Sequence, residues 1–245
     1  MLRFSELWVR HQRRESATRV YSPSLETRAC RGLAILGLRQ NGVLVTEAAV
    51  PATPVTQSGR IYAEVDGAVN TGVAIANVSD ADTDARISFF FTDQNGNDFG
   101  NGSLTVGAKQ QIAAFLNQSP FNVAAPVRGT FTFTSSLPIS AVGFRGFTNE
   151  LGEFLITTLP MGSITSASVE NLNFPQFVDG GGWSTQVILV NPTSVSLTGT
   201  VRLYNTSGTE SSPAGGMPYS IAPRSCFVLR TNDPEKPIEV KSVQV

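Results

Sequence analysis

Histidine, cysteine and charged residues are all scarce in this sequence. Its 245 residues include one histidine, His11, and two cysteines, Cys30 and Cys226, and only 15% of the residues are charged. A single imidazole removes the usual base of a catalytic triad and the commonest zinc ligand. The two cysteines show no metal-ligand spacing. We expect two small buried thiols, and whether they form a disulfide depends on a Cα separation that the sequence does not give.

Neither sign of charge is in excess, and long apolar runs are absent. Basic residues number 18 and acidic residues 19. A balanced chain has no electrostatic basis for binding nucleic acid or an anionic membrane. No apolar run reaches the roughly 18 residues that would indicate a membrane helix. We therefore expect no nucleic-acid partner and no membrane insertion.

Alternating polar and apolar residues fill most of the sequence. In "ARISFFFT" the side chains of Ile87, Phe89 and Phe91 share one face, and in "RGTFTFTS" those of Phe131 and Phe133 do the same. Turn signals such as "DQNGND", "NELGE" and "NTSGT" separate these runs. Short strands at close spacing without a helical stretch predict an all-β fold of antiparallel, immunoglobulin-like β-sandwiches.

Several phrases of the sequence occur twice. "VDGAVNTGVAIANVSDADTDARI" recurs as "VDGGGWSTQVILVNPTSVSLTGTV", with Asn77 over Asn191, and "VGAKQQIAAFLN" recurs as "IAPRSCFVLRTN". The phrase "AVGFRGFTNELGEFLITT" has a shorter counterpart in "ILGLRQNGVLVT", with Gly143 over Gly37. A sandwich of about 100 residues buries its own core, so a repeat of this size indicates a whole domain.

The repeat predicts four segments. Residues 1–15 are an unassigned N-terminal extension, which lacks the apolar stretch of a signal peptide. Residues 16–49 are the closing strands of one sandwich unit, 51–166 form a complete unit, and 172–245 are the opening strands of another. The first and last of these strand sets are complementary. We expect them to assemble into a second sandwich, within one chain or between chains, since each exposes unpaired strand edges alone.

The quoted phrases also resemble a known family. "FPQFVDGGGWSTQVILVNPTSVSLTGTV", "GLAILGLRQNGVLVTEAAVPA" and "FTNELGEFLITTLP" are similar to the consensus phrases of an uncharacterised tandem β-sandwich repeat, found in large secreted or surface proteins of environmental bacteria. The resemblance covers residues 16–245. It implies an extracellular or cell-surface location as part of a larger protein. It implies no activity, cofactor or catalytic residue, because none is established for the family.

Three aspartates form a candidate metal loop. Asp80, Asp82 and Asp84 alternate in "SDADTDAR", as the first ligands of a calcium loop do. The glycine at the sixth loop position and the glutamate at the twelfth, where Phe91 falls, are both missing. A solvated turn between strands is the favoured interpretation, so we expect no metal site.

Trp183 follows three glycines and is a candidate ligand-binding residue. An exposed indole could stack on a sugar, whereas a tryptophan beside a strand start more often closes the end of a sandwich. We expect the buried position. Arg145 and Arg39 occupy equivalent places in the repeat, where a structural arginine stacks on an aromatic ring or pairs with a neighbouring strand.

The sequence favours a non-enzymatic structural or interaction module, a spacer or display repeat of a secreted or cell-surface bacterial protein. No catalytic, cofactor or metal residue is assigned. The alternative is an adhesion module that binds a glycan or a surface protein, which predicts an exposed aromatic row or a shallow groove. The expected partners are a second copy of the chain or an extracellular glycan or surface protein.

Overall fold

The computed structural model describes residues 32–79, 82–164, 171–213, 215–231 and 235–245. Within these ranges the chain forms strands and no helix, and every strand pairing is antiparallel. The predicted all-β antiparallel fold is confirmed. The expectations for residues 1–15, Cys30 and Asp80 lie outside the described residues.

The strands are β1 (Leu33–Gln40), β2 (Val43–Pro51), β3 (Thr56–Asp66), β4 (Val69–Ala76), β5 (Ala85–Asp93), β6 (Asp98–Val106), β7 (Gln111–Phe115), β8 (Val127–Thr148), β9 (Phe154–Leu159), β10 (Asn173–Asp179), β11 (Gln186–Val190), β12 (Leu197–Asn205), β13 (Met217–Ile221), β14 (Cys226–Arg230) and β15 (Glu239–Gln244).

Strands β3 to β9 form what we call the central sandwich. The long strand β8 belongs to both of its halves: residues 127–139 pair with β3 and β5, and residues 140–147 pair with β4. β6 extends the first half beside β5, while β7 and β9 extend the second half beside β4 and β8. The apolar faces of both halves meet in one core, because each strand alternates between inward and outward side chains.

The core of the central sandwich is rich in phenylalanine. Its rings pack edge-on or tilted with centroids 5.3 to 6.2 Å apart, within the range that aromatic pairs prefer. The rings belong to Phe89, Phe91, Phe121, Phe131 and Phe133. The alternation in "ARISFFFT" and "RGTFTFTS" therefore predicted the inward faces of β5 and β8 correctly.

Strands β10 to β15 form a second, smaller unit, the C-terminal sandwich. One sheet has the order β10-β15-β12-β13, and β11 pairs with β14 in the other. These pairings match those of β3 with β8, β5 with β8, β5 with β6 and β4 with β7 in the central sandwich. A separate apolar core includes Phe177, Val187, Leu189, Val201 and Val243.

The hairpin β1–β2 lies against the central sandwich. Its Asn41-Gly42 turn has φ values of 49° and 83°, the left-handed conformations that a two-residue hairpin turn requires. Leu36 and Val50 pack on an outer cluster around Phe115 and Phe144. The expectation that this segment pairs with strands of the C-terminal part of the same chain is wrong, because the apolar outer surface of the central sandwich accepts it instead.

Candidate functional site

The acidic loop does not gather ligands for a metal ion. Asp82 and Asp84 are both exposed, and among the described residues no three His, Cys, Asp or Glu side chains lie close enough to hold a metal. Neighbouring carboxylates that face water repel one another and remain apart. The exposure of Asp82 and Asp84 agrees with a solvated turn. Asp80 lies outside the described ranges.

Trp183 is exposed, so its expected burial is wrong. The backbones of Gly180 and Trp183 exchange two hydrogen bonds of 3.0 Å, which close a tight loop between β10 and β11. Gly180, Gly181 and Gly182 all have positive φ, a conformation that glycine adopts without strain. This loop leaves 62% of Trp183 accessible to solvent. The three glycines thus turn the indole outward instead of letting it close the end of the sandwich.

The two equivalent arginines have different surroundings. The guanidinium of Arg145 lies 5.8 Å from the ring centre of Phe147, and its Nη2 is 3.9 Å from Oε2 of Glu64. These contacts match the predicted structural role. Arg39 is exposed and donates a hydrogen bond of 3.2 Å to the carbonyl of Gly42 in its own hairpin.

The most developed polar site lies between the two sandwiches. The outward faces of β3 and β8 in the central sandwich meet the outward face of β14, the loop that precedes β14 and the loop that follows β11. An outward face of a sandwich is ordinarily wet, yet Arg60, Glu64, Thr130 and Thr132 are at most 3% exposed. Burial of these polar side chains requires specific partners, since an unpaired buried charge is costly. We call this contact the sandwich interface.

Glu64 is the centre of the sandwich interface. Its Oε1 accepts hydrogen bonds from Arg128 of β8 at 3.0 Å and from Arg230 of β14 at 2.9 Å. Arg128 also lies 3.9 Å from the carboxylate of Asp66, a residue of its own sandwich. The Glu64 carboxylate therefore bridges an arginine from each sandwich. Hydrogen bonding to Glu64 raises the pKa of Arg128, which keeps this side chain charged.

A second buried arginine crosses the same interface. Arg60 donates from Nε to the hydroxyl of Thr132 and from Nη1 to the carbonyl of Asn191, both at 2.8 Å. Burial, assisted by the nearby charge of Arg224 and opposed by that of Asp98, lowers the pKa of Arg60 to about 10. The side chain remains protonated at neutral pH, so it supplies directional donors to the backbone of the C-terminal sandwich.

The β5–β6 turn provides the third set of contacts. Asp98 forms an ion pair of 3.0 Å with Arg224, and the hydroxyl of Ser225 donates to the carbonyl of Asp93 at 2.6 Å. Asp93 also accepts backbone hydrogen bonds from Asn95 and Asn97. Although partial burial opposes it, hydrogen bonding from Asn97 and Asn95 lowers the pKa of Asp93. The turn predicted from "DQNGND" is thus also a docking element.

Cys226 lies in this interface rather than in a disulfide. Its thiol is free and buried, and it belongs to β14 on the same side as Arg230. Burial raises the pKa of Cys226 to about 12, and the charge of Glu64 acts in the same direction. The expected small buried thiol is confirmed for this cysteine, and its protonated form is unreactive at neutral pH.

The recurring asparagines have a structural role in both sandwiches. The Asn77 amide donates to the carbonyls of Thr83 and Val106 at 2.9 and 3.1 Å. The Asn191 amide donates to the carbonyls of Val195 and Ala222 at 2.7 and 3.0 Å. Both side chains are at most 1% exposed. Each ties the loop after one strand to the end of another, which explains the recurrence without a ligand.

No motif in the sequence indicates the Glu64 site. Within "RIYAEVDG" the alternation of β3 does place Arg60, Tyr62 and Glu64 on one face, opposite the core residues Ile61 and Ala63. A face of this composition is typical of a solvated surface. Its partner Arg230 stands 166 positions from Glu64, and nothing local connects the two.

Comparisons with known proteins give only distant likenesses. No family model matches the chain, and no curated protein matches it. The chain is similar to the crystal structure of Thermotoga maritima 1070, with 11% identity and a TM-score of 0.37 over 44% of this chain and 93% of that one. It is also similar to the Anabaena sensory rhodopsin transducer, with 18% identity and a TM-score of 0.32 over 36% and 94% of the two chains. Both likenesses are too distant to assign a function.

No helix in the described part of the chain has the length and apolar character needed to span a membrane.

Proposed function

We propose that this chain is a tandem of immunoglobulin-like sandwich units that acts as a non-enzymatic spacer or display module of a secreted or cell-surface protein. The observation that carries the proposal is the sandwich interface. A display module must hold its units in a fixed orientation. Contacts between domains ordinarily permit relative motion unless they are extensive.

The sandwich interface is suited to fixing an orientation. Its hydrogen bonds are directional and each involves a buried charge, namely Glu64 in the bond from Arg230 and Arg60 in the bond to Asn191. Any rotation of one sandwich against the other would leave these buried charges without partners. Equivalent strands pair with each other in both sandwiches, which supports a shared structural unit. The recurring stretches of sequence support a tandem arrangement of that unit.

Distance measurement between spin labels tests the proposed rigidity. Labels on cysteines introduced at Ser103 of β6 and Thr206 of the β12–β13 loop, both exposed, lie on different sandwiches. Cys30→Ser and Cys226→Ala remove the native thiols. We expect a single narrow distance distribution. Arg230→Ala should broaden it, while Arg202→Ala, which removes an exposed arginine of β12, should not. A broad distribution in the parent protein would contradict the proposal.

Glycan binding is the second candidate, and the exposure of Trp183 favours it. The indole stands beside Gly181, which lies against the exposed side chain of Ile238. A flat, exposed aromatic surface suits a sugar ring. In a Trp8→Phe background, a soluble polysaccharide should shift the fluorescence of Trp183. Unchanged fluorescence across a set of neutral and acidic polysaccharides would contradict this candidate.

A further inference from the structure

Within the described residues, strand β11 pairs along one edge only. The backbone groups of its odd-numbered residues point towards β14. Beside the ends of the strand, the amide of Asn191 donates to the carbonyl of Ser225, and the amide of Thr231 donates to the carbonyl of Thr185. In an antiparallel ladder the backbone groups alternate between the two edges. The amides and carbonyls of Gln186, Ile188 and Val190 therefore point away from β14, and no described strand pairs with that edge.

The central sandwich shows how an equivalent edge is closed. β4 pairs with β7 on one side, as β11 pairs with β14, and its other edge pairs with residues 140–147 of β8. That part of β8 continues through a tight turn into β9. A two-stranded antiparallel hairpin thus completes the second half of the central sandwich.

Strand β1 also has an unpaired edge. The backbone groups of its even-numbered residues point towards β2, because the amide of Ala52 donates to the carbonyl of Gly32 and the same register continues along β1. The backbone groups of Leu33, Ile35 and Gly37 consequently point away from β2. Among the described residues, β1 pairs with β2 alone. The hairpin therefore offers one free edge.

Both free-edged strands are apolar on both faces. In β1, Leu36 packs on the central sandwich, while Leu33 and Ile35 on the other face are 62% and 66% exposed. In β11, Val187 and Leu189 enter the core, and Ile188 and Val190 occupy the outer face. Strands of this composition are typical of sheet interiors. Exposed apolar edge strands readily pair with another chain.

We propose that β1 of one copy of the chain adds to β11 of a second copy as an antiparallel strand. The two sets of free groups match along their whole length: Leu33 pairs with Val190, Ile35 with Ile188, and Gly37 with Gln186. Leu36 then leaves the outer cluster of its own central sandwich, and Leu36 and Leu38 face the C-terminal core of the receiving copy. This step follows from the register, because Leu36 would stand opposite Val187, whose side chain enters that core, and residues opposite each other across a ladder share a face.

The pairing produces either a swapped dimer or a head-to-tail array. A dimer forms if both copies donate to each other, and an array forms if each donates to the next. The inference stands apart from the spacer role, because a rigid pair of sandwiches needs no second copy. Failure of self-association would therefore leave the proposed function intact, and flexible sandwiches would leave this pairing intact.

Sedimentation of the whole chain over a range of concentrations tests the proposal. We expect species larger than the monomer that dissociate on dilution. Ile35→Pro removes an amide that has no partner among the described residues, and proline is tolerated at such an edge. The larger species should disappear in this variant, while Ile35→Val should retain them. A chain that stays monomeric, or association that survives Ile35→Pro in folded protein, would overturn the pairing.

Mixed-copy crosslinking tests the register independently and does not rely on the folding of the proline variant. One copy carries Ile35→Cys and the other carries Ile188→Cys, both with Cys30→Ser and Cys226→Ala. Hydrogen-bonded partners across an antiparallel ladder have Cα atoms about 5.5 Å apart, a separation that a disulfide spans. We expect a disulfide between the two copies. Val43→Cys, on the exposed part of β2, serves as the control, and equal crosslinking from that position would overturn the proposal.

Discussion

At the scale of single residues, Glu64 and Asn191 are buried polar side chains on which partners from different elements converge. Glu64 receives Arg128 from its own sandwich and Arg230 from the other. Asn191 joins its own loop to the end of β13 and presents its carbonyl to Arg60. Such residues determine how elements are placed, because each is satisfied in one arrangement only.

Replacement of Glu64 should destabilise the protein through the arginines that it leaves behind. Glu64→Ala removes two charge-assisted hydrogen bonds, and we expect a loss of about 2 to 3 kcal/mol in the free energy of unfolding. Asp66→Ala is the matched control, since Asp66 is 57% exposed and 3.9 Å from Arg128. Its loss should be about 0.5 kcal/mol or less. Urea denaturation measures both, and equal effects would contradict the central position of Glu64.

Asp179 should make stability depend on pH at the acidic end. A hydrogen bond from Lys236, whose Nζ lies 2.6 Å from the carboxylate, lowers the pKa of Asp179 below its usual 3.8. A carboxyl with a lowered pKa in the folded state adds stability above its unfolded pKa, and that stability is lost as pH falls through the folded value. Asp179→Asn should therefore be less stable than the parent at pH 7, and the difference should shrink as the pH falls below the lowered pKa of Asp179. A difference that stays constant over this range would contradict the ion pair.

At the scale of elements, the strands divide into those that complete a core and those that cover a surface. β3, β4, β5 and β8 supply the phenylalanine-rich core of the central sandwich. The hairpin β1–β2 covers only an outer apolar cluster. The C-terminal sandwich has a core of its own. The central sandwich should consequently need neither neighbour to form its core.

Expression of residues 51–166 alone tests this division. We expect one cooperative thermal transition, because the segment retains β3 to β9 and the whole aromatic core. Its melting temperature should lie below that of the full chain, since Phe115 and Phe144 lose the cover of β1–β2 and Glu64 loses Arg230. A broad transition without a baseline would show that the segment is not an independent unit.

The sequence predicted the elements better than their docking. Alternation identified the inward residues of β5 and β8, and the stretch "DQNGND" identified the turn between β5 and β6, because both signals are local. The position of Trp183 was not predictable in this way, since burial depends on how three glycines turn a loop. The placement of β1–β2 and the pairing of Glu64 with Arg230 depend on surfaces distant in sequence. No local sequence pattern indicates which outward-facing surface of a sandwich will pack against another element.

At the scale of the whole molecule, the two sandwiches behave as one body only if the sandwich interface stays closed. The thiol of Cys226 is a built-in probe of that closure, because it is 5% exposed within the interface and burial raises its pKa to about 12. Opening the interface would expose the thiol and return its pKa toward the ordinary value. Its reaction rate with a thiol reagent therefore reports the open population.

In a Cys30→Ser background, we expect Cys226 to react far more slowly than a cysteine introduced at the exposed Ser103. Glu64→Ala should raise the rate by about tenfold or more at neutral pH, since 1.4 kcal/mol of lost interface free energy corresponds to a factor of ten in the open population. Circular dichroism must show that both sandwiches stay folded under the same conditions. Asp66→Ala should leave the rate nearly unchanged. If Cys226 reacts in the parent as fast as the cysteine at position 103, the interface is open in solution and the two sandwiches move independently.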